Sequence, residues 1–241
     1  MSTAFSKKLI IANWKMNLDQ KTLKDLVTRI VHPSLMEVVL CPPHVYLQST
    51  LLEIGKHNDH TLKLGAQDCS ACTNGPCTGD VSASMLADIG CQYVIIGHSE
   101  RRILHFEDDD IIKQKIQRAL DVGIKPIICV GEDASVKSSG ETINYLLKQL
   151  CYLPQFNSDD LIIAYEPIWS IGSGIAIDTE ELEMLFNELK NNLQINKLLY
   201  GGSVNEKNCR EFLKIDKLDG LLVGGASLDS QKFNQIIGSS D

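Results

Sequence analysis

Short, continuously apolar runs recur along the chain, each followed by a longer stretch with helical spacing. The runs cover residues 9–13, 38–41, 63–66, 93–97, 126–130, 161–165, 198–200 and 220–223. Most are apolar at every position rather than at alternate ones. That suits parallel strands with helices against one face and packed side chains against the other. Between the runs, Ile111, Ile112, Ile116 and Leu120 share one helical face, with Lys113, Lys115, Gln117 and Arg118 mostly outside it. Leu182, Leu185, Phe186, Leu189 and Leu193 form a second such face, and Asp178-Thr179-Glu180-Glu181 ahead of it reads as a helix N-terminus. Asn205 likewise precedes a helix carrying Cys209, Phe212 and Leu213. One long loop, from Gln67 to Asp80, holds two glycines and a proline among small polar residues.

Strand–helix alternation admits an open doubly wound sheet or a closed barrel. No Gly-x-Gly-x-x-Gly follows the first strand, so the open sheet lacks its dinucleotide fingerprint. Eight strands in 241 residues fit an α/β fold of the closed (β/α)8 type, which needs about 250 residues. No linker interrupts the pattern, so residues 1–241 read as one domain. With 44% apolar residues the chain can fill such a core, and a net charge of −8 disfavours nucleic acid as a partner. No apolar run approaches the roughly 18 residues that span a bilayer, and the stretch at 9–13 is too short for a signal-peptide core. The expectation is a cytoplasmic protein without a membrane partner, its eight cysteines reduced. Cys69, Cys72 and Cys77 cluster, but no second Cys-x-x-Cys or His pair completes a zinc site.

All strands of a parallel barrel open on one face, and the residues at their ends meet there. The fourth run ends in His98-Ser99-Glu100-Arg101-Arg102 and the sixth in Glu166-Pro167-Ile168-Trp169. An imidazole and a carboxylate in one pocket can move protons at carbon and oxygen. Arg101 reads as an ion-pairing brace for the site, and Glu100 as a brace or an auxiliary acid–base group. The first run ends in Asn13-Trp14-Lys15. Lys15 could neutralise a phosphate, stabilise an enolate oxygen or form a Schiff base. The seventh and eighth runs end in Gly201-Gly202-Ser203 and Gly224-Gly225-Ala226. Glycine pairs are often only tight turns, but two at consecutive strand ends, ahead of helix N-termini, favour a bound phosphate. The segment 167–174 reads as a mobile lid, with Pro167 stiff at one end, glycines at the other and an exposed Trp169 between.

These motifs together resemble the triosephosphate isomerase family over essentially the whole chain. The resemblance is carried, in order, by Asn13-Trp14-Lys15-Met16-Asn17, Gly65-Ala66-Gln67, Thr78-Gly79-Asp80, Gly97-His98-Ser99-Glu100-Arg101-Arg102, Val130-Gly131-Glu132, Tyr165-Glu166-Pro167-Ile168-Trp169, Tyr200-Gly201-Gly202-Ser203-Val204 and Val223-Gly224-Gly225-Ala226-Ser227. It implies a TIM barrel that interconverts dihydroxyacetone phosphate and D-glyceraldehyde 3-phosphate in glycolysis and gluconeogenesis, with no metal or organic cofactor. By this likeness Glu166 takes the carbon proton and neutral His98, beside a helix N-terminus, serves the oxygens. Lys15 and Asn13 would stabilise substrate oxygens, and backbone groups of Gly172, Ser203, Gly224 and Gly225 would hold phosphate. The resemblance also implies a homodimer through the loop from Gln67 to Asp80, with Thr78 at its tip.

The sequence departs from the family pattern at Ile175-Ala176-Ile177 after the lid, at His105-Phe106-Glu107, and at Asp68, where an amide is usual. Two other readings remain at this stage. One is a different sugar-phosphate barrel, such as a Schiff-base aldolase using Lys15. The other is a barrel that only binds. Cys129, close to the site, reads as packing.

Overall fold

The computed structural model describes residues 7–31, 36–56 and 61–239; residues 1–6, at the start of the segment read against a leader, lie outside these. Eight parallel strands close into one barrel in sequence order. They are β1 (Lys8–Asn13), β2 (Met36–Cys41), β3 (Leu62–Ala66), β4 (Tyr93–Ile96), β5 (Lys125–Val130), β6 (Ile162–Tyr165), β7 (Leu198–Tyr200) and β8 (Gly220–Val223). Ladder pairs such as Ile11↔Leu222 join β1 to β8 and complete the ring. Around it run α1 (Gln20–Arg29), α2 (Leu47–Ile54), α3 (Ala83–Ile89), α4 (Ser99–Leu104), α5 (Asp109–Asp121), α6 (Ala134–Ser139), α7 (Thr142–Gln149), α8 (Thr179–Asn192), α9 (Cys209–Leu213) and α10 (Ser230–Ile237).

The continuous apolar runs have a direct cause: each strand buries both faces. One face fills the barrel interior, with Leu9 and Ile11, Val39 and Cys41, Ile127 and Cys129, and Ile162 and Ala164 in one cluster. The other, with Ile10 and Ala12, Val38 and Leu40, and Ile163 and Tyr165, packs into the layer shared with the helices. The helices start where a short polar side chain can accept the first free N–H groups. Asp108 caps α5 through the Ile111 amide, and Asp178 caps α8 through those of Glu180 and Glu181.

Two helical expectations need correction. In α5 the buried stripe is Ile112, Lys115, Ile116 and Ala119, while Ile111 and Leu120 are only partly buried. Lys115 sits at the i+3 position from Ile112, so the helical period turns it inward whatever its charge. Its Nζ lies 2.7 and 2.9 Å from the Asp68 carboxylate and 2.6 Å from Glu107. Arg101 joins the same group, 2.9 Å from Asp68 and 2.6 Å from Glu107. Two cations and two carboxylates thus tie the loop after β3 to α4 and α5. The second correction concerns Asn205, which opens a turn by accepting the Lys207 amide; α9 itself begins at Cys209.

Candidate active site

The alternation along each strand decides what reaches the barrel mouth. Ile162 and Ala164 point into the interior, and two residues further on the same parity aims Glu166 along the barrel axis. Leu9 and Ile11 place Asn13 in the same way. His98 breaks the parity of Tyr93 and Ile95 because Gly97 turns the chain at φ 69°. A side chain there would also come within 2.9 Å of Ile112 Cδ1. His98 then caps α4, its Nδ1 accepting the Glu100 N–H at 3.2 Å. That bond leaves the proton of the neutral ring on Nε2.

His98 and Glu166 are both buried, and Nε2 lies 3.3 Å from Glu166 Oε1. Burial pushes the imidazole down, while the charge and hydrogen bond of Glu166 push it up; the net direction is up from 6.5. For Glu166, burial pushes the carboxyl up, but His98, a hydrogen bond from Cys129 and the charge of Lys15 outweigh it, and the carboxyl lies below 4.5. Glu166 Oε2 has no hydrogen-bond partner among the described residues. An unsatisfied buried carboxylate oxygen at the floor of a cavity is placed for a ligand. Gly201 makes room for this side chain, since a Cβ there would stand 2.8 Å from Glu166 Cγ.

Lys15 adopts φ 51°, unusual for a residue with a side chain. Asn13 Oδ1 accepts its amide at 3.0 Å, and Gln67 Nε2 donates to its carbonyl at 2.8 Å. Its Nζ lies 2.6 Å from Glu100 Oε1. Glu100 therefore pairs with Lys15, and Arg101 braces α4 from behind through Asp68 and Glu107. Gln67 is a site residue that the sequence reading left unassigned; its amide also reaches the Cys41 carbonyl at 2.8 Å.

One cavity of about 450 Å³ is lined by Asn13, Lys15, His98, Glu166, Gly172, Ser203, Gly224 and Gly225 together. Gly224 and Gly225 open a 3₁₀ turn, Gly225–Leu228, straight after β8. After β7 a turn intervenes before α9, so the helix N-terminus expected there is absent. The Ser203 amide donates to Ser170 Oγ at 3.0 Å.

The lid segment differs from expectation in one respect. Trp169 is half-buried, and its Nε1 donates to Glu132 Oε1 at 2.8 Å, where Tyr165 also donates at 3.0 Å. Glu132 is fully buried and anchors the front of the lid. Gly172, at the tip, is exposed with φ 69°. Among the described residues no group of three or more His, Cys, Asp or Glu side chains could hold a metal ion, and no helix is long and apolar enough to cross a membrane.

The family profile described as triosephosphate isomerase matches residues 8–240. The triosephosphate isomerase of Hahella chejuensis is 41% identical, over 96% of this chain and 97% of that protein. The triosephosphate isomerase of Aquifex aeolicus is 39% identical, over 96% and 98%. That of Buchnera aphidicola is 38% identical, over 98% of each. The barrel, the His–Glu pair at its mouth and these full-length matches agree: the chain belongs to the triosephosphate isomerase family.

Proposed function

We propose that Glu166 is the base and His98 the acid in the interconversion of dihydroxyacetone phosphate and D-glyceraldehyde 3-phosphate, the isomerisation of glycolysis and gluconeogenesis that this family performs. The observation that carries the assignment is the buried His98–Glu166 pair at 3.3 Å, with Glu166 Oε2 unpartnered over the cavity. Glu166 removes the proton from the carbon beside the carbonyl, and His98 Nε2–H polarises the carbonyl oxygen and passes protons between the two oxygens. Lys15 and Asn13 stabilise the charge that develops on those oxygens.

The electrostatics suit this division. The charge and hydrogen bond of ionised Glu166 hold His98 up. Once Glu166 has accepted the carbon proton, that charge is gone. Burial and Lys15 then push His98 down, opposed only by the charge of the nearby Glu100, which favours a neutral imidazole for the enediolate. Backbone groups of Gly172, Ser203, Gly224 and Gly225 hold the phosphate, and the lid shuts water out while the enediolate, prone to lose phosphate, exists. No cofactor is required by this scheme.

The 2.6 Å ion pair with Glu100 holds Lys15 as an electrostatic group, which speaks against a Schiff-base aldolase. A barrel that only binds gives no reason to bury an acid and a base face to face.

We further propose a homodimer through the loop from Gln67 to Asp80, in the cytoplasm, with residues 1–241 as one catalytic domain. Met16, Val45, Met85, Leu104 and Phe106 are exposed apolar side chains. They follow β1, β2, β3 and β4, neighbours in the barrel, so they flank that loop on one side of the mouth. Five of the eight thiols are buried, which suits a reducing compartment. Sedimentation equilibrium should give twice 26.7 kDa; a monomer at micromolar concentration would refute the dimer.

The catalytic assignment is tested by Glu166→Asp in a coupled assay of glyceraldehyde 3-phosphate turnover. Retracting the base by one methylene should lower kcat by about 10²-fold or more. Turnover within a few fold of the unmodified enzyme would sink the assignment.

A further inference from the structure

Ser170 is a fully buried serine at the start of the lid. Oγ donates to the Ile175 carbonyl at 2.6 Å and accepts the Ser203 amide at 3.0 Å. It lies 3.4 Å from the Tyr200 hydroxyl, which accepts the Ile177 amide at 3.3 Å. One small side chain therefore joins the front of the lid, the back of the lid and the loop after β7.

The Ser203 amide is the informative partner. Ser203 lines the cavity together with Glu166 and Gly224, yet its N–H is spent on Ser170. An amide cannot donate fully to a buried hydroxyl and to a phosphate oxygen at once. Ser203 is only partly buried and lines the cavity, so a phosphate there could reach this amide once Oγ gives it up. We propose that Ser170 is a positioning residue that holds the Ser203 amide and surrenders it to the substrate's phosphate. The inference rests on the phosphate reading given above.

The same exchange moves the lid. When the Ser203 amide leaves Oγ, the hydroxyl that closes the turn from Ser170 to Ile175 keeps only the Ile175 carbonyl and the Tyr200 hydroxyl as partners. The lid's fold thereby becomes sensitive to phosphate, a group remote from the carbons that react. Ser173 donates from its own Oγ to the Ser170 carbonyl at 2.9 Å, which keeps the turn in place during the exchange.

The test is Ser170→Ala, with Ser170→Cys beside it to preserve volume with a weak acceptor. The probe is inorganic phosphate, measured as a competitive inhibitor and by the amide resonances of Ser203, Gly224 and Gly225. In both variants the Ser203 amide has lost its competing acceptor, so the inhibition constant of phosphate should fall, by about five-fold for one ordinary hydrogen bond. KM should fall with it while kcat changes less, a split that mere loosening of the fold would not produce. In the unmodified enzyme, phosphate should shift the Ser203 amide along with those of Gly224 and Gly225. Unchanged or weaker phosphate binding in both variants overturns the proposal. So does a Ser203 amide that stays put while Gly224 and Gly225 respond. If none of the three responds, the phosphate reading itself fails, and the role of Ser170 falls with it.

Discussion

Gly201→Ala tests whether the position of Glu166 is set by the room its neighbours leave. The substitution adds one methyl group on the interior side of β7's end. That methyl would stand 2.8 Å from Glu166 Cγ, 3.3 Å from Oε1 and 3.3 Å from Leu222 Cβ. Carbon atoms in contact sit at about 3.5 Å or more, so the overlap with Cγ is roughly 0.7 Å. Leu222 belongs to the packed interior and blocks retreat on its side. The carboxylate is the freer of the two, because Oε2 has no partner, and the strain should be relieved there. Overpacking of this kind costs about 1–3 kcal/mol of stability.

The larger effect should be on catalysis. A base displaced by several tenths of an ångström loses alignment with the carbon acid, and a full 1 Å costs on the order of 10²-fold. We expect kcat to fall by about 10- to 100-fold with KM changing less, since the added methyl crowds the Glu166 side chain. The assay is steady-state turnover of glyceraldehyde 3-phosphate beside a urea unfolding curve. A variant that loses stability but keeps kcat within two-fold would refute the reasoning. It would mean that the interior yields and the carboxylate does not.

Two further outcomes follow from the charges. In His98→Gln the burial of Glu166 remains while its main stabilising partner is removed, so its carboxyl should move up, read by carboxyl NMR titration; no movement would show that His98 does not hold it down. The pair also contributes to stability. The depressed carboxyl stabilises above its unfolded value of 4.5 and loses this as pH falls through the folded value. The raised imidazole stabilises below its unfolded value of 6.5 and loses this as pH rises through the folded value. The stability difference between unmodified enzyme and variant should therefore be largest between pH 4.5 and 6.5, and a flat difference would contradict the pair. Lys115→Met leaves Asp68 and Glu107 buried near each other with one cation fewer; unfolding should cost about 3–5 kcal/mol less, and a loss below about 1 kcal/mol would mean that Arg101 alone suffices.

The strands were legible because burial on both faces leaves a continuous apolar run, and β7 and β8 were read to the residue. Lys115 was misread because chemistry was weighed over geometry: a lysine in a helix is ordinarily solvated, yet its place in the period put it on the inner face. The misplacement of Trp169 came from the opposite side. Glycines nearby suggested exposure, while the carboxylate that anchors it, Glu132, comes from the end of another strand. Nothing local marks Ser170. Its three partners lie at the back of the lid and at the end of β7, and only the closed ring brings them together.

Seven of the eight site residues that share the cavity stand at or just after strand ends, Gly172 in the lid being the exception, and the fold explains why strand ends were informative. In a barrel the period of two that packs the interior continues to the mouth. The interior pair Ile162 and Ala164 commits Glu166 to the axis, and Leu9 and Ile11 commit Asn13. Core and site are then one register, in which a single inserted residue in β6 would turn Glu166 out toward the helices. His98 escapes this rule only because Gly97 supplies a left-handed turn. That turn lets the imidazole cap α4 through Nδ1 while Nε2 faces the carboxylate. The carboxylate is thus placed by packing and the imidazole by a backbone turn. A change in core volume should therefore disturb Glu166 first, whereas a change at Gly97 should disturb His98.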